Sequence, residues 1–120
     1  MNFIYVALGG ALGAVLRYSI SLIPLKSNFP FLTLITNILG AILIGFVVGL
    51  ASEREGISDH TVLFWKTGVC GGFTTFSTFS LETYTLFEKG AYLSGGIYTV
   101  LSFTFCLIGI FVGKKLTTML

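Results

Sequence analysis

From Gly68 to Ser80 the chain alternates glycines, hydroxyls and phenylalanines without one charged side chain. Phe76 and Phe79 fall at i, i+3 and so face the same way on a helix. A phenyl ring carries a positive edge, which weakly attracts an anion passing edge-on. Two phenylalanines alone would read as core packing, but interleaved with Thr75, Ser77, Thr78 and Ser80 they point to a polar path. The adjacent glycines Gly71 and Gly72 weaken a helix, and hydroxyls at bilayer depth need partners. The run is therefore expected to break its helix near the middle and to line a protein-enclosed or watery passage. Such a break frees backbone carbonyls around Gly71 to Thr74, and inward-facing carbonyls suit a bare cation rather than an anion.

Upstream, Thr33 and Asn37 share a face at i, i+4, just before Gly40. The Asn37 carboxamide offers two N–H donors, which suit an anion, although an asparagine bonding a neighbouring helix is the commoner arrangement. Downstream, Ser94, Tyr98, Ser102 and Cys106 form one i, i+4 stripe that could hand an anion along. Serine and threonine in membrane helices also back-bond to the i−4 carbonyl and do nothing else, so both readings stand. Arg17 and Glu82 are, with Lys66, the ionisable residues well inside apolar segments. Charge at a helix centre costs about 2.5–3.5 kcal/mol on insertion scales, which makes function the default. Both lie near segment ends, and anchoring is the competing role. Cys70 and Cys106 form no CxxC and read as small buried thiols; His60, alone in an acidic loop, reads as a solvated side chain.

These residues are carried on segments that read as transmembrane. Of 120 residues, 54% are hydrophobic and only 10% charged, too little polar surface for a soluble domain of this size. About 20 apolar residues cross a hydrocarbon core, and charges and turn formers cut the chain into four such pieces, roughly 3–23, 31–51, 61–87 and 91–113. The expected architecture is an all-α membrane protein, a single four-span domain over 1–120. The first apolar stretch exceeds a signal-peptide core and follows no basic region, so it counts as a span. A net charge of +2, spread over separate loops, makes no basic patch for nucleic acid.

Small-residue pairs recur at Gly9/Gly13, Gly45/Gly49, Gly68/Gly72 and Gly109/Gly113. They allow close helix approach, either within one chain or between copies. With four spans, Arg54, Lys66, Lys114 and Lys115 belong to one side of the membrane, and Arg17, Lys26 and Lys89 to the other. Four against three gives the insertion machinery little instruction, so copies inserted both ways could pair antiparallel. A weak bias, or an unlike partner, could equally fix one orientation.

The combination of Gly9 to Tyr18, Thr33 to Gly40 and Gly71 to Ser80 resembles the Fluc fluoride channels, also called CrcB proteins, over essentially the whole chain. The resemblance implies a passive fluoride channel of the cell membrane, built as an antiparallel, dual-topology dimer with two pores. It implies pore roles for Phe76, Phe79 and Asn37, a polar track of Thr33, Tyr98 and Ser102, and a vestibule position for Glu82; Ser77 is expected to join the pore and Arg17 the vestibule. It also implies a structural sodium ion held on the dimer axis by the backbone carbonyls of Gly71 and Thr74. Cys106 departs from the family pattern, which has a hydroxyl at related track positions. The alternative is a proton-coupled exporter resembling the small multidrug-resistance proteins. Those use a first-helix carboxylate, and the first span here holds only Arg17. A noncatalytic scaffold would explain the glycine pairs but not the phenylalanine and hydroxyl pattern.

Overall fold

A computed structural model describes all 120 residues and contains only helices and their connections. Helix α1 spans Asn2–Ser21 and α2 spans Phe31–Glu53. A short α3, Asp59–Val62, runs into a π-helical segment, Leu63–Cys70, and a last helical piece α4, Gly71–Phe73. After two extended residues, α5 covers Phe76–Glu88 and α6 covers Tyr92–Thr118. Three helices, α1, α2 and α6, are long and apolar enough to cross a membrane. The segment expected at 61–87 is not one continuous helix but a series of four pieces.

Boundaries follow local chemistry. Helix α1 stops at Ser21, two residues before the expected end, with Pro24 just beyond; proline and the residue before it resist helix continuation. Helix α6 runs to Thr118 rather than 113, carrying Lys115 in its last turn, where a cation complements the helix dipole. The end of α5 is a Schellman turn. Gly90 takes a φ of 79°, its N–H donates to the Phe87 carbonyl (3.0 Å), and the Ala91 N–H donates to the Leu86 carbonyl (2.8 Å).

The glycine pairs serve packing inside the chain. A Cβ added at Gly9 would strike the Phe64 carbonyl, and one at Gly13 the Val69 carbonyl and the Phe73 backbone nitrogen. Gly68 and Gly72 answer from the other side, against the backbones of Gly9 and Gly10. Helix α1 thus lies backbone to backbone on the π-helical segment. The α2–α6 pair is built alike: Gly45 meets the Ile110 backbone, and Gly113 meets Ile42 and Phe46. In lipid, where no hydrophobic effect drives helices together, such close approach supplies the dispersion contacts that do.

The buried centre is small. Leu34, Phe79, Leu86 and Tyr98 form it, with Phe29, Ile38, Ala91 and Leu101 packed around. Only 20 of 120 residues are buried, while side chains such as Phe3, Leu93 and Phe111 stand outward. That distribution is inverted for a protein in water and natural for helices whose outer faces meet acyl chains.

Candidate functional site

The helical ladder is interrupted at Thr74 and Thr75, both extended (φ −84°, ψ 154° and φ −147°, ψ 115°). An interrupted ladder orphans backbone groups, and each must find a partner or stay costly. Thr74 closes the upstream helix: its N–H and its hydroxyl both donate to the Cys70 carbonyl, at 3.0 and 2.8 Å. Thr75 opens the downstream one, its hydroxyl accepting the Thr78 N–H (3.1 Å) as an N-cap.

The remaining groups of Thr75 are satisfied by Asn37 of α2. The Thr75 N–H donates to Asn37 Oδ1 (2.8 Å), and Asn37 Nδ2 donates to the Thr75 carbonyl (3.2 Å). A carboxamide is the one short side chain that can both accept and donate in this way, so it holds the extended residue like a neighbouring strand. One of the two Asn37 donors foreseen for an anion is therefore engaged with the backbone, and the other remains. Gly40, one turn on, leaves room for the Thr74 methyl and the Phe73 ring, which a Cβ there would meet.

The same bonds decide which carbonyls lose their helical donors. In an unbroken helix the Thr75 N–H would serve Gly71 and the Thr78 N–H would serve Thr74; both are diverted, to Asn37 and to the Thr75 hydroxyl. Gly72 is compensated, its carbonyl accepting from Arg17 Nε (3.1 Å). Arg17 thereby ties α1 to the interruption.

Beside the interruption opens a cavity of about 380 Å³, largely apolar, whose wall includes Asn37, Gly71, Thr74, Phe76, Phe79 and Ser102. Six sequence-derived candidates from three separate segments meet there. Phe76 and Phe79 lie 5.5 Å apart, ring planes tilted by 44°, yet they differ in setting. Phe76 is 69% exposed, whereas Phe79 is buried and also packs on Tyr98 and, edge-on, on Phe103. Ser102 is buried, and its hydroxyl has no hydrogen-bond partner.

Thr33, Tyr98 and Glu82 form a separate polar knot. Glu82 Oε2 accepts from the Thr33 hydroxyl and Oε1 from the Tyr98 hydroxyl, each at 3.0 Å, so one carboxylate joins α2, α5 and α6. Tyr98 is fully enclosed. Thr33 also lines, with Arg17, Thr75 and Thr78, a small cavity of about 60 Å³. Ser77 stands exposed, 3.4 Å from the Thr75 hydroxyl. Several other hydroxyls, among them Thr36, Ser80, Thr83 and Thr99, simply back-bond to the i−4 carbonyl.

Two participants were named from the sequence without a specific role in the site. Thr75 is the hub of the interruption, signalled only by the Thr-x-x-Thr spacing of an N-cap. Lys66 lines the large cavity, and its charge within an apolar segment was the available signal.

Residues 4–114 match the family described as CrcB-like protein, Camphor Resistance (CrcB). A protein of Roseiflexus sp. (strain RS-1) named fluoride-specific ion channel FluC is 44% identical over 123 residues, covering 100% of this chain and 99% of its own. Proteins of the same name from Ruminiclostridium cellulolyticum and Clostridium novyi are each 47% identical, covering 97% and 94% of this chain and 92% and 91% of theirs. Matches of this extent, running through all the segments that build the cavity, place the chain in the CrcB-like family.

Proposed function

We infer that this chain is a fluoride-selective passive channel of the plasma membrane, lowering fluoride toxicity by letting the anion leave the cell. The observation that carries it is the cavity at the interruption, where a free Ser102 hydroxyl, the Asn37 carboxamide and two phenylalanine rings converge. Fluoride is small and strongly hydrated, so stripping its water requires donors. The Ser102 O–H and the remaining Asn37 N–H are neutral donors, which hold an anion without trapping it, and Phe76 and Phe79 add ring edges. A membrane potential negative inside contributes about 2.3 kcal/mol per charge per 100 mV toward anion exit, so no energy source is needed. Named relatives that are channels, and not catalysts, support a transport role over an enzymatic one.

The functional unit proposed is a dual-topology homodimer whose two copies meet antiparallel around the interrupted third span. The exposed Phe76 and the open ground around Gly71, where an added Cβ would meet nothing within 4 Å, favour a second copy there. The carbonyls of Gly71 and Thr74, relieved of their helical donors, are a suitable donor set for a sodium ion on the shared axis. Hard oxygen ligands fit a hard monovalent cation. Such an ion would supply fixed positive charge holding the two interruptions together.

Liposomes containing the purified protein test the function. Fluoride should leave them rapidly while chloride and a cationic dye are retained. Dye movement that follows a proton gradient, without fluoride efflux, would replace the channel by an exporter.

A further inference from the structure

Both cysteines, remote in sequence, line the large cavity: Cys70 from the π-helical segment and Cys106 from α6. Both are free thiols. Cys70 is 2% exposed, whereas Cys106 is half-buried and reachable from the cavity. One turn before Cys106 on α6 sits Ser102, itself only 7% exposed, with an Oγ that no protein group satisfies. A buried hydroxyl without a partner marks a place where a guest is expected. The wall around it, with Ile44, Phe103 and Leu107, is apolar.

We propose that Cys106 anchors a capture site for a soft, thiophilic monovalent cation of the silver(I) and copper(I) class, and that occupancy stops permeation. Thiol sulfur is a soft ligand and selects such cations over sodium, magnesium or calcium, which prefer oxygen. On capture the S–H bond of Cys106 breaks, its proton leaves to water, and an Sγ–metal bond forms in its place; nothing is oxidised or reduced. One positive charge departs as one arrives, so the Lys66 ammonium on the same wall sees no change in net charge. The metal then lies one helical turn from the Ser102 hydroxyl and obstructs the space through which an anion would move. Cys70 contributes a second sulfur to the same cavity.

The effect on flux rests on the channel reading, while binding rests on the cavity alone, and the two are measured separately. Silver nitrate is the probe, in chloride-free buffer, where silver and fluoride stay soluble together. Native mass spectrometry of the full chain should find one more silver per chain in the wild type than in Cys106→Ser. In liposomes silver should abolish wild-type fluoride efflux, with recovery on adding dithiothreitol. Cys106→Ser should keep its own untreated flux in silver, and Cys70→Ser should still bind and be blocked. Equal silver binding by wild type and Cys106→Ser overturns the site, and binding without loss of flux overturns the block. Should Cys106→Ser fail to elute as folded protein, Cys106→Ala takes its place. An untreated protein that carries no fluoride defeats the channel reading instead, and the silver stoichiometry still decides the thiol site.

Discussion

Asn37 has two duties that one substitution can expose. It closes both backbone groups of Thr75 and leaves a single N–H toward the cavity. In Asn37→Asp the carboxylate still accepts from the Thr75 N–H, but it faces the Thr75 carbonyl oxygen to oxygen and places negative charge beside an anion path. Leaving a buried carbonyl unpaired costs about 1–3 kcal/mol. We expect fluoride efflux to vanish and the melting temperature to fall; wild-type efflux per folded chain would refute the role in the anion path, and an unchanged melting temperature the role in holding Thr75. The phenylalanines separate differently. The i, i+3 spacing made them equivalent, yet Phe76 is exposed and Phe79 belongs to the buried centre. Phe76→Ile should lose flux with stability unchanged, because it removes only the ring edge. Phe79→Ile should lose flux and also stability, by about 1 kcal/mol, as the contacts with Tyr98 and Phe103 are rebuilt around a smaller side chain. Full flux in both variants would remove the aromatic rings from the mechanism. Residue type thus announced that donors and rings were present, while the partners of Asn37 and the two settings of the phenylalanines depend on tertiary contacts that no spacing encodes.

The helices were legible because length and apolarity alone set them: α1, α2 and α6 fall within a few residues of the expected spans. The winding of Leu63–Cys70 as a π-helix was not, since no periodic pattern distinguishes it in eight residues. The glycine pairs were visible, but whether they join helices of one chain or of two was open, and the packing answers it for the chain itself. This divides the glycines into two experimental classes. Gly113→Ala drives a methyl into the Ile42 carbonyl and the Phe46 nitrogen, both backbone atoms that cannot rotate away. It should part α2 from α6 and reduce the yield of monodisperse protein. Gly71→Ala meets nothing within its own chain. It should leave the chain folded and instead weaken association of copies, together with any dependence of that association on sodium. Size-exclusion profiles of the two variants, with sodium present and after its exchange for a large organic cation, check this. A Gly71→Ala protein that assembles normally under both conditions would remove Gly71 from the proposed shared axis.

A chain whose large apolar side chains point outward and whose main cavity is lined by exposed groups such as Phe76 and Gly71 is suited to a further partner within the membrane. The charge count bears on which partner. On the expected four-span topology the seven basic residues divide four against three between the two sides, and lysine and arginine near span ends set orientation. So little bias supports the proposed dual topology, in which one polypeptide would insert both ways and supply both halves of an antiparallel pair. We therefore expect a protease-cleavable tag at the C-terminus to be cut in only part of the population when protease is added outside sealed vesicles, and in the rest once they are opened. Cleavage confined to one side in a preparation that carries fluoride would defeat self-pairing. Adding three lysines to the loop between α2 and α3 should hold all copies with that loop in the cytoplasm, and three in the loop between α1 and α2 should hold them the other way. Each biased variant alone should then lose fluoride efflux, because it lacks oppositely oriented partners, while co-expression restores it. Undiminished efflux from a singly biased, fully oriented variant would show that the active assembly is parallel or a lone subunit.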